Sequence, residues 1–296
     1  MNRLLRLGTR GSALALAQAR WVAHQLACQG RAITLTIIRT TGDRLAEIPL
    51  GRIGAKGIFV SELEEALLGG HIDLAVHSLK DLPAEMPAGL LLGAIPPRED
   101  PRDSLVGRTA PTLAALRPGA LVATSSQRRQ VLLRALRPDL GLIDVRGNVE
   151  TRLRKLDEGQ FDALCLAAAG LHRLGLAGRI TEYLDPELFL PAPGQGALAI
   201  QVRADDPEMR TALAPLHDPE TARAIEAERH LLAALGGGCS VPCGALATST
   251  TPLILSAVWC TPDGELRRAR VHGTRPPAEL AQELAAILAA DAILPP

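Results

Sequence analysis

Three times along this chain an apolar, strand-like run gives way to a polar or cationic turn that opens a helix: Thr9-Arg10-Gly11-Ser12, Thr124-Ser125-Ser126-Gln127-Arg128-Arg129 and Arg146-Gly147-Asn148. Strands alternating with helix-period segments at this spacing predict an α/β fold with mainly parallel strands. The turns themselves point to anions, because a helix N-terminus presents free backbone N–H groups and partial positive charge. Ser12, Ser126 and Asn148 read as helix caps. Arg128 and Arg129 in a first helical turn cost about 0.3 to 1 kcal/mol each against the helix dipole, so a negative group is expected to compensate them. Arg152, one turn beyond Asn148, and Arg173, after Gly170, extend the set. Arginine suits carboxylates through bidentate bonds, with phosphate as the rival ligand on spacing alone.

The first two thirds divide at Pro96-Pro97-Arg98-Glu99-Asp100-Pro101, which has the composition of a linker. Expected strands run over 3–8, 33–39, 72–77, 121–123, 142–145 and 162–166. Expected helices start at Ser12, Ser61, Ser126 and Asn148, with Ser61 and Glu64 matching a capping box. The apolar run 197–202, after Pro191-Ala192-Pro193-Gly194-Gln195-Gly196, reads as a return to the first unit, which makes the two crossings a hinge. From about Asp218 the pattern becomes helix, strands and helix. The expected organisation is therefore domain 1 over 1–96 and 197–214, domain 2 over 102–191, and a small α+β domain 3 over 218–296.

Hydrophobic residues make up 47% of the 296, enough for substantial cores. No apolar run approaches the roughly 20 residues a bilayer needs, and the start lacks the layout of a secretory signal, so a cytoplasmic protein with no membrane partner is expected. A formal net charge of zero and 2% aromatics argue against nucleic acid. The five cysteines, Cys28, Cys165, Cys239, Cys243 and Cys260, are scattered, which reads as reduced thiols; Cys239 and Cys243 form one close pair, but no second Cys or His pair stands at zinc-site spacing and no metal is expected.

Two further segments carry chemistry. Lys80-Asp81 follows an apolar strand and precedes Pro83, placing a carboxylate at the carboxyl end of a strand, where open α/β sheets put their ligands. Such a group can accept a proton and stabilise a developing cation. Gly236-Gly237-Gly238-Cys239 is a glycine loop able to carry a thiol toward another domain, or a helix cap followed by a structural cysteine.

Together with Gly57-Ile58-Phe59-Val60 and Ala75-Val76-His77-Ser78-Leu79-Lys80-Asp81-Leu82-Pro83, these motifs resemble, in order and over nearly the whole chain, the porphobilinogen deaminase (hydroxymethylbilane synthase) family. The resemblance implies two periplasmic-binding-protein-like α/β lobes joined by hinge crossings, plus the third domain. It implies condensation of four porphobilinogen molecules with loss of ammonia, followed by hydrolytic release of hydroxymethylbilane. It implies a dipyrromethane cofactor, one per chain, on a thioether to Cys239. Asp81 matches the catalytic carboxylate. Lys80, Asp81, Ser78, Thr124, Ser126, Arg128, Arg129 and Arg146 match cofactor positions. Arg10, Ser12, Ser125, Arg146, Arg152, Arg173, Gln195 and Phe59 match substrate positions. A monomer is expected, with its product passed to the next tetrapyrrole enzyme. Cys243 offers a second thiol. A solute-binding protein, or the ligand domain of a transcription regulator, are the other classes that two anion-binding lobes allow; neither needs Lys80-Asp81 or the Gly-Cys loop.

Overall fold

The computed structural model describes residues 3–44, 60–83, 85–237, 241–248 and 250–290. Lobe 1 is built on β1 (Leu5–Thr9), β2 (Ile33–Ile37), β3 (Leu74–Ser78), β4 (Leu90–Ala94) and the late return strand β10 (Leu198–Arg203), in the order β2-β1-β3-β10-β4. β1 is parallel to β2 and β3, whereas β10 is antiparallel to β3 and β4. Helices α1 (Ala13–Cys28), α2 (Thr41–Arg44) and α3 (Ser61–Leu68) belong to this lobe. On α1, Gln18, Ala19, Val22 and Leu26 recur at helical spacing and are the buried face. Its start is fixed by Ser12, whose hydroxyl accepts from Ala15 N.

Lobe 2 repeats the layout with β5 (Asp103–Gly107), β6 (Leu121–Ala123), β7 (Gly141–Ile143), β8 (Ala163–Ala167) and β9 (Glu182–Tyr183), in the order β7-β6-β8-β5-β9. Here β6 is parallel to β7 and β8, and β5 is antiparallel to β8 and β9. The reversed fourth strand is in each lobe the one delivered by a crossing: β5 follows 96–102 and β10 follows 191–197. The lobes are thus mainly parallel as expected, but β4, β5 and β9 are not among the strands read from the sequence. Helices α4 (Gln127–Leu136), α5 (Val149–Asp157) and α6 (Ala168–Arg173) follow β6, β7 and β8, so their N-termini gather at the carboxyl ends of the parallel strands.

The capping box expected at Ser61 and Glu64 does not form. The N-cap residue is Val60, with no side-chain cap bond. The Glu64 carboxylate instead accepts from Gln201 Nε2 on β10 at 2.9 Å. Gln201 Oε1 in turn faces His77 Nε2 at 3.0 Å, inside the sheet. Burial, opposed in part by that Gln201 contact and reinforced by the charge of Arg10, lowers the His77 pKa from 6.5 to about 4. As pH falls through that window the unfolded chain takes up a proton that the folded one refuses, so stability is lost on acidification, by about 3 kcal/mol in all. His77→Gln is expected to flatten the urea-unfolding free energy between pH 6.5 and 4 relative to the parent.

After helix α7 (Pro207–Leu213), domain 3 consists of α8 (Pro219–Ala234), a three-stranded antiparallel sheet of β11 (Cys243–Ala247), β12 (Leu253–Cys260) and β13 (Leu266–Gly273), and α9 (Pro277–Ala289). Its core of Leu231, Leu253, Leu255, Leu280 and Leu284 lies between helices and sheet. It meets the lobes differently. Against lobe 2 the backbones touch: Ala245 N donates to Pro191 O, and Arg268 donates to the carbonyls of Glu187 and Leu188. A Cβ at Gly244 would stand 2.7 Å from Leu190 O, so only glycine allows this approach. Against lobe 1, α8 lays Ile225 among Val60, Leu79, Leu82, Ile95, Ala197 and Ala199, Arg229 Nη2 donates to Pro83 O at 2.7 Å, and beside that contact apolar residues such as Leu92 and Ala222 line a pocket of about 250 Å³ with Glu226, Arg229 and His230.

The crossings are tied to α8 through Glu228, which is fully buried. Its carboxylate accepts from Arg98 Nη1 and Nη2 at 2.6 and 3.0 Å, from Gly194 N at 2.7 Å and from Ala247 N at 2.8 Å. One acid therefore holds the first crossing, the second crossing and the edge of domain 3. Among the described residues no helix is long and apolar enough to cross a membrane, and no group of His, Cys, Asp and Glu has a metal-site arrangement.

Candidate active site

The sequence motifs stand at the carboxyl ends of β1, β3, β6 and β7, and those after β3 and β6 face each other across a cleft between the lobes. After β3 the chain makes a single 3-10 turn over Leu79–Asp81, with Leu79 buried and Lys80 and Asp81 half-buried. Ser78 holds its place by accepting from Gln18 Nε2 at 2.8 Å, which ties the turn to α1. Arg10, at the end of β1, is near enough to His77 to act on its protonation.

Across the cleft, Thr124 is buried and its hydroxyl accepts from Ser126 N, while Ser125 Oγ donates to Val145 O at 2.6 Å. Ser126 caps α4 by accepting from Arg129 N, and Asn148 caps α5 by accepting from Thr151 N at 2.9 Å. Arg152 donates from Nε to Gly147 O at 2.8 Å. Burial, together with the charges of Arg129 and Arg146 and against that of Asp81, lowers its pKa to about 10. The same interactions place Arg129, Arg146, Arg152 and Asp81 in one electrostatic neighbourhood. Arg173 stands apart, toward the second crossing: its Nη2 donates to Gly196 O at 2.7 Å, and burial, with Glu99 acting the other way, lowers its pKa to about 10.

The negative group that the paired arginines require is Asp103, the first residue of β5 and completely buried. Arg128 Nη1 donates to its Oδ2 at 2.7 Å, and Arg129 reaches Oδ1 through Nε at 2.9 Å and Nη2 at 2.7 Å. Burial alone would raise the Asp103 pKa, but the two guanidiniums and the hydrogen bonds from Arg128 and Gln195 hold it well below the usual carboxylate range. Sequence reasoning missed this residue: it follows the linker and opens a strand of only five residues. The two first-turn arginines signalled that an acid was needed, but not which one.

Gln195 completes the junction. Its Nε2 donates to Asp103 Oδ1 and to Pro101 O, both at 2.9 Å, and its Oε1 accepts from Lys80 Nζ at 3.2 Å. The flanking glycines make the placement possible. Gly194 and Gly196 have φ of +75° and +87°, and a Cβ would lie 2.4 Å from Leu79 Cδ2 at the first and 2.3 Å from Glu99 O at the second. Burial, followed by the Arg129 charge, brings the Lys80 pKa down from 10.5 to about 8.

Cys239 and Phe59 lie outside the described residues. Cys243, the alternative thiol, is 2% exposed at the start of β11, and burial pushes its pKa up to about 12, which works against a thiolate there. The donors of the cleft fit a polycarboxylate group such as a dipyrromethane. Arg128 Nε is buried without a hydrogen-bond partner, and the cations gathered around Asp81 and Asp103 exceed those two acids in number.

Comparison with known proteins gives the same direction. The family described as "Porphobilinogen deaminase, dipyromethane cofactor binding domain" matches residues 5–211, and "Porphobilinogen deaminase, C-terminal domain" matches residues 222–291. The chain is 54% identical over 267 residues to the porphobilinogen deaminase of Syntrophobacter fumaroxidans, covering 89% of this chain and 86% of that one. It is 52% identical over 277 residues to that of Roseiflexus sp., covering 93% and 91%. Among solved structures, a periplasmic substrate-binding protein of an ABC transporter from Coxiella burnetii aligns at 18% identity and a TM-score of 0.45, over 73% of this chain and 92% of that one.

Proposed function

We propose how this cleft divides its work from the premise that the chain belongs to the porphobilinogen deaminase family, with both family regions present and relatives at about half identity along most of its length. It is a hydroxymethylbilane synthase, a transferase of tetrapyrrole biosynthesis that acts on porphobilinogen and uses a dipyrromethane cofactor. When bound, that cofactor supplies a covalently held pyrrole terminus for chain extension. The roles of individual residues are our reading.

Asp81 is the catalytic carboxylate. It sits on a rigid turn, pinned by Leu79 in the core and by Ser78 to α1, and faces cations on the other lobe. A carboxylate held there stabilises positive charge on porphobilinogen as ammonia leaves and carries a proton at each condensation. Lys80, Arg128 and Arg146, with the hydroxyls of Ser78, Thr124 and Ser126 and the guanidinium of Arg129, hold the cofactor's carboxylates. Arg10, Ser12, Ser125, Arg152, Arg173, Gln195 and Phe59 serve the incoming substrate and the growing chain. At about 4 Å an ion pair is worth roughly 4 kcal/mol at an effective dielectric near 20, before desolvation is subtracted, so a polyanionic chain requires many such contacts. Cys239 is the attachment point. The observation that carries this reading is that Lys80 and Arg152, both desolvated by burial, feel the charge of Asp81 and that of Arg129 together.

We further read the chain as three units, 1–96 with 197–214, 102–191 and 218–296, hinged at the crossings. The protein is cytoplasmic and monomeric, and its product goes to the next tetrapyrrole enzyme. Intact mass of the parent beside Cys239→Ser and Cys243→Ser, under conditions that preserve a thioether, tests the core of the reading. Extra mass of two linked pyrrole units is expected in the parent and in Cys243→Ser and not in Cys239→Ser. A parent that stays unmodified after incubation with porphobilinogen would count against the whole assignment.

A further inference from the structure

Arg128 and Arg129 directly, and Lys80 through Gln195, converge on one acid that takes no place in the chemistry above. Asp103 accepts from Arg128 and Arg129 of lobe 2, and Gln195 passes its reach on to Lys80 of lobe 1. Asp103 and Gln195 also sit on opposite crossings, Asp103 at the end of the first and Gln195 within the second. Arg129 is braced at this junction on a second side, where Nη1 donates to Cys165 O at 3.1 Å; Arg128 Nη1 also donates to Leu190 O at 2.6 Å, and its Nε is unpartnered. A guanidinium whose other end is clamped presents its remaining N–H in one direction, which is the condition for recognising a carboxylate at a fixed place.

We propose that Asp103 is a positioning residue of the reaction: with Gln195 it sets the aim of Arg128 and the placement of Lys80 relative to Asp81, so that the cationic wall is complete only when the two lobes are correctly hinged. This rests on the assignment of Lys80 and Arg128 to carboxylate binding. Displacing such a wall by about 1 Å costs on the order of 10²-fold in rate. The charged groups acting on Lys80 are Arg129 and Arg128 from α4, Asp103 from β5 and Asp81 from its own turn; the acids favour its protonated form and the arginines oppose it.

The test is steady-state turnover of porphobilinogen by the holoenzyme from pH 6 to 10, for the parent, Asp103→Asn, Gln195→Glu and Lys80→Arg, with intact mass to count cofactor. Lys80→Arg is expected to remove the alkaline limb of kcat/KM and so to assign it. Asp103→Asn is expected to lower kcat by about 10²-fold in cofactor-loaded protein and to move the limb to lower pH. Gln195→Glu, which places an acid directly on Lys80, is expected to move it to higher pH. Should Asp103→Asn fail to fold, Gln195→Glu decides by itself. A limb at the same pH in parent and both variants, with activity lost only in proportion to folded protein, would overturn the proposal. A parent that consumes no porphobilinogen would instead overturn the function on which it rests.

Discussion

Asp81→Asn is expected to lower kcat by about 10³-fold or more while leaving the cofactor attached and the fold intact. The substitution is isosteric, so Leu79 stays in the core and the turn keeps its bond from Ser78 to Gln18. What disappears is a full negative charge facing Arg152 and Lys80. General acid–base catalysis contributes about 10² to 10⁴-fold, and removing a preorganised charge at a developing ion has an effect of similar size. Both losses fall on the transition state, so KM should change much less than kcat. Single-turnover assays with porphobilinogen, alongside intact mass, check this. Parental kcat in a cofactor-loaded Asp81→Asn protein would remove Asp81 from the mechanism.

The largest expected effect on stability belongs to a residue far from that chemistry. Glu228→Ala should destabilise the protein by about 3 to 5 kcal/mol, the range for breaking a buried pair by removing one partner. Arg98 would be left desolvated, and the N–H groups of Gly194 and Ala247 would lose their acceptor. Because those donors come from both crossings and from β11, the loss should appear as reduced cooperativity between lobes and domain 3 as well as a lower midpoint in urea. Glu228→Gln keeps two acceptor lone pairs and should fall between the parent and Glu228→Ala. A midpoint for Glu228→Ala within error of the parent would refute the role.

Features encoded by near neighbours were legible in the sequence. Ser12, Ser126 and Asn148 cap helices as read, because a cap is decided within three residues. The glycines flanking Gln195 and the Lys80-Asp81 turn were likewise visible, since strand ends and tight turns carry local residue preferences. Features encoded by distant partners were not. The Ser61 and Glu64 pattern satisfied the local rule, yet Glu64 found a partner 137 residues away. Asp103 follows a linker and has no neighbour in sequence that hints at Arg128 or Arg129; only the sheet order brings β5 beside β8 and under α4. The unease of two arginines in a first helical turn was readable. Its resolution inside the protein, rather than by a ligand alone, required the fold.

The unequal seams of domain 3 set a mechanical frame. Sliding it along lobe 2 would break backbone hydrogen bonds at Ala245 and the bonds of Arg268, and would drive Gly244 into Leu190. Sliding it along lobe 1 would break the bond from Arg229 Nη2 to Pro83 O at 2.7 Å and strain the Arg98–Glu228 pair, as well as part the aliphatic contact around Ile225. Domain 3 thus braces both lobes, so the turn that carries Asp81 and the guanidiniums of α4 are referred to one common frame.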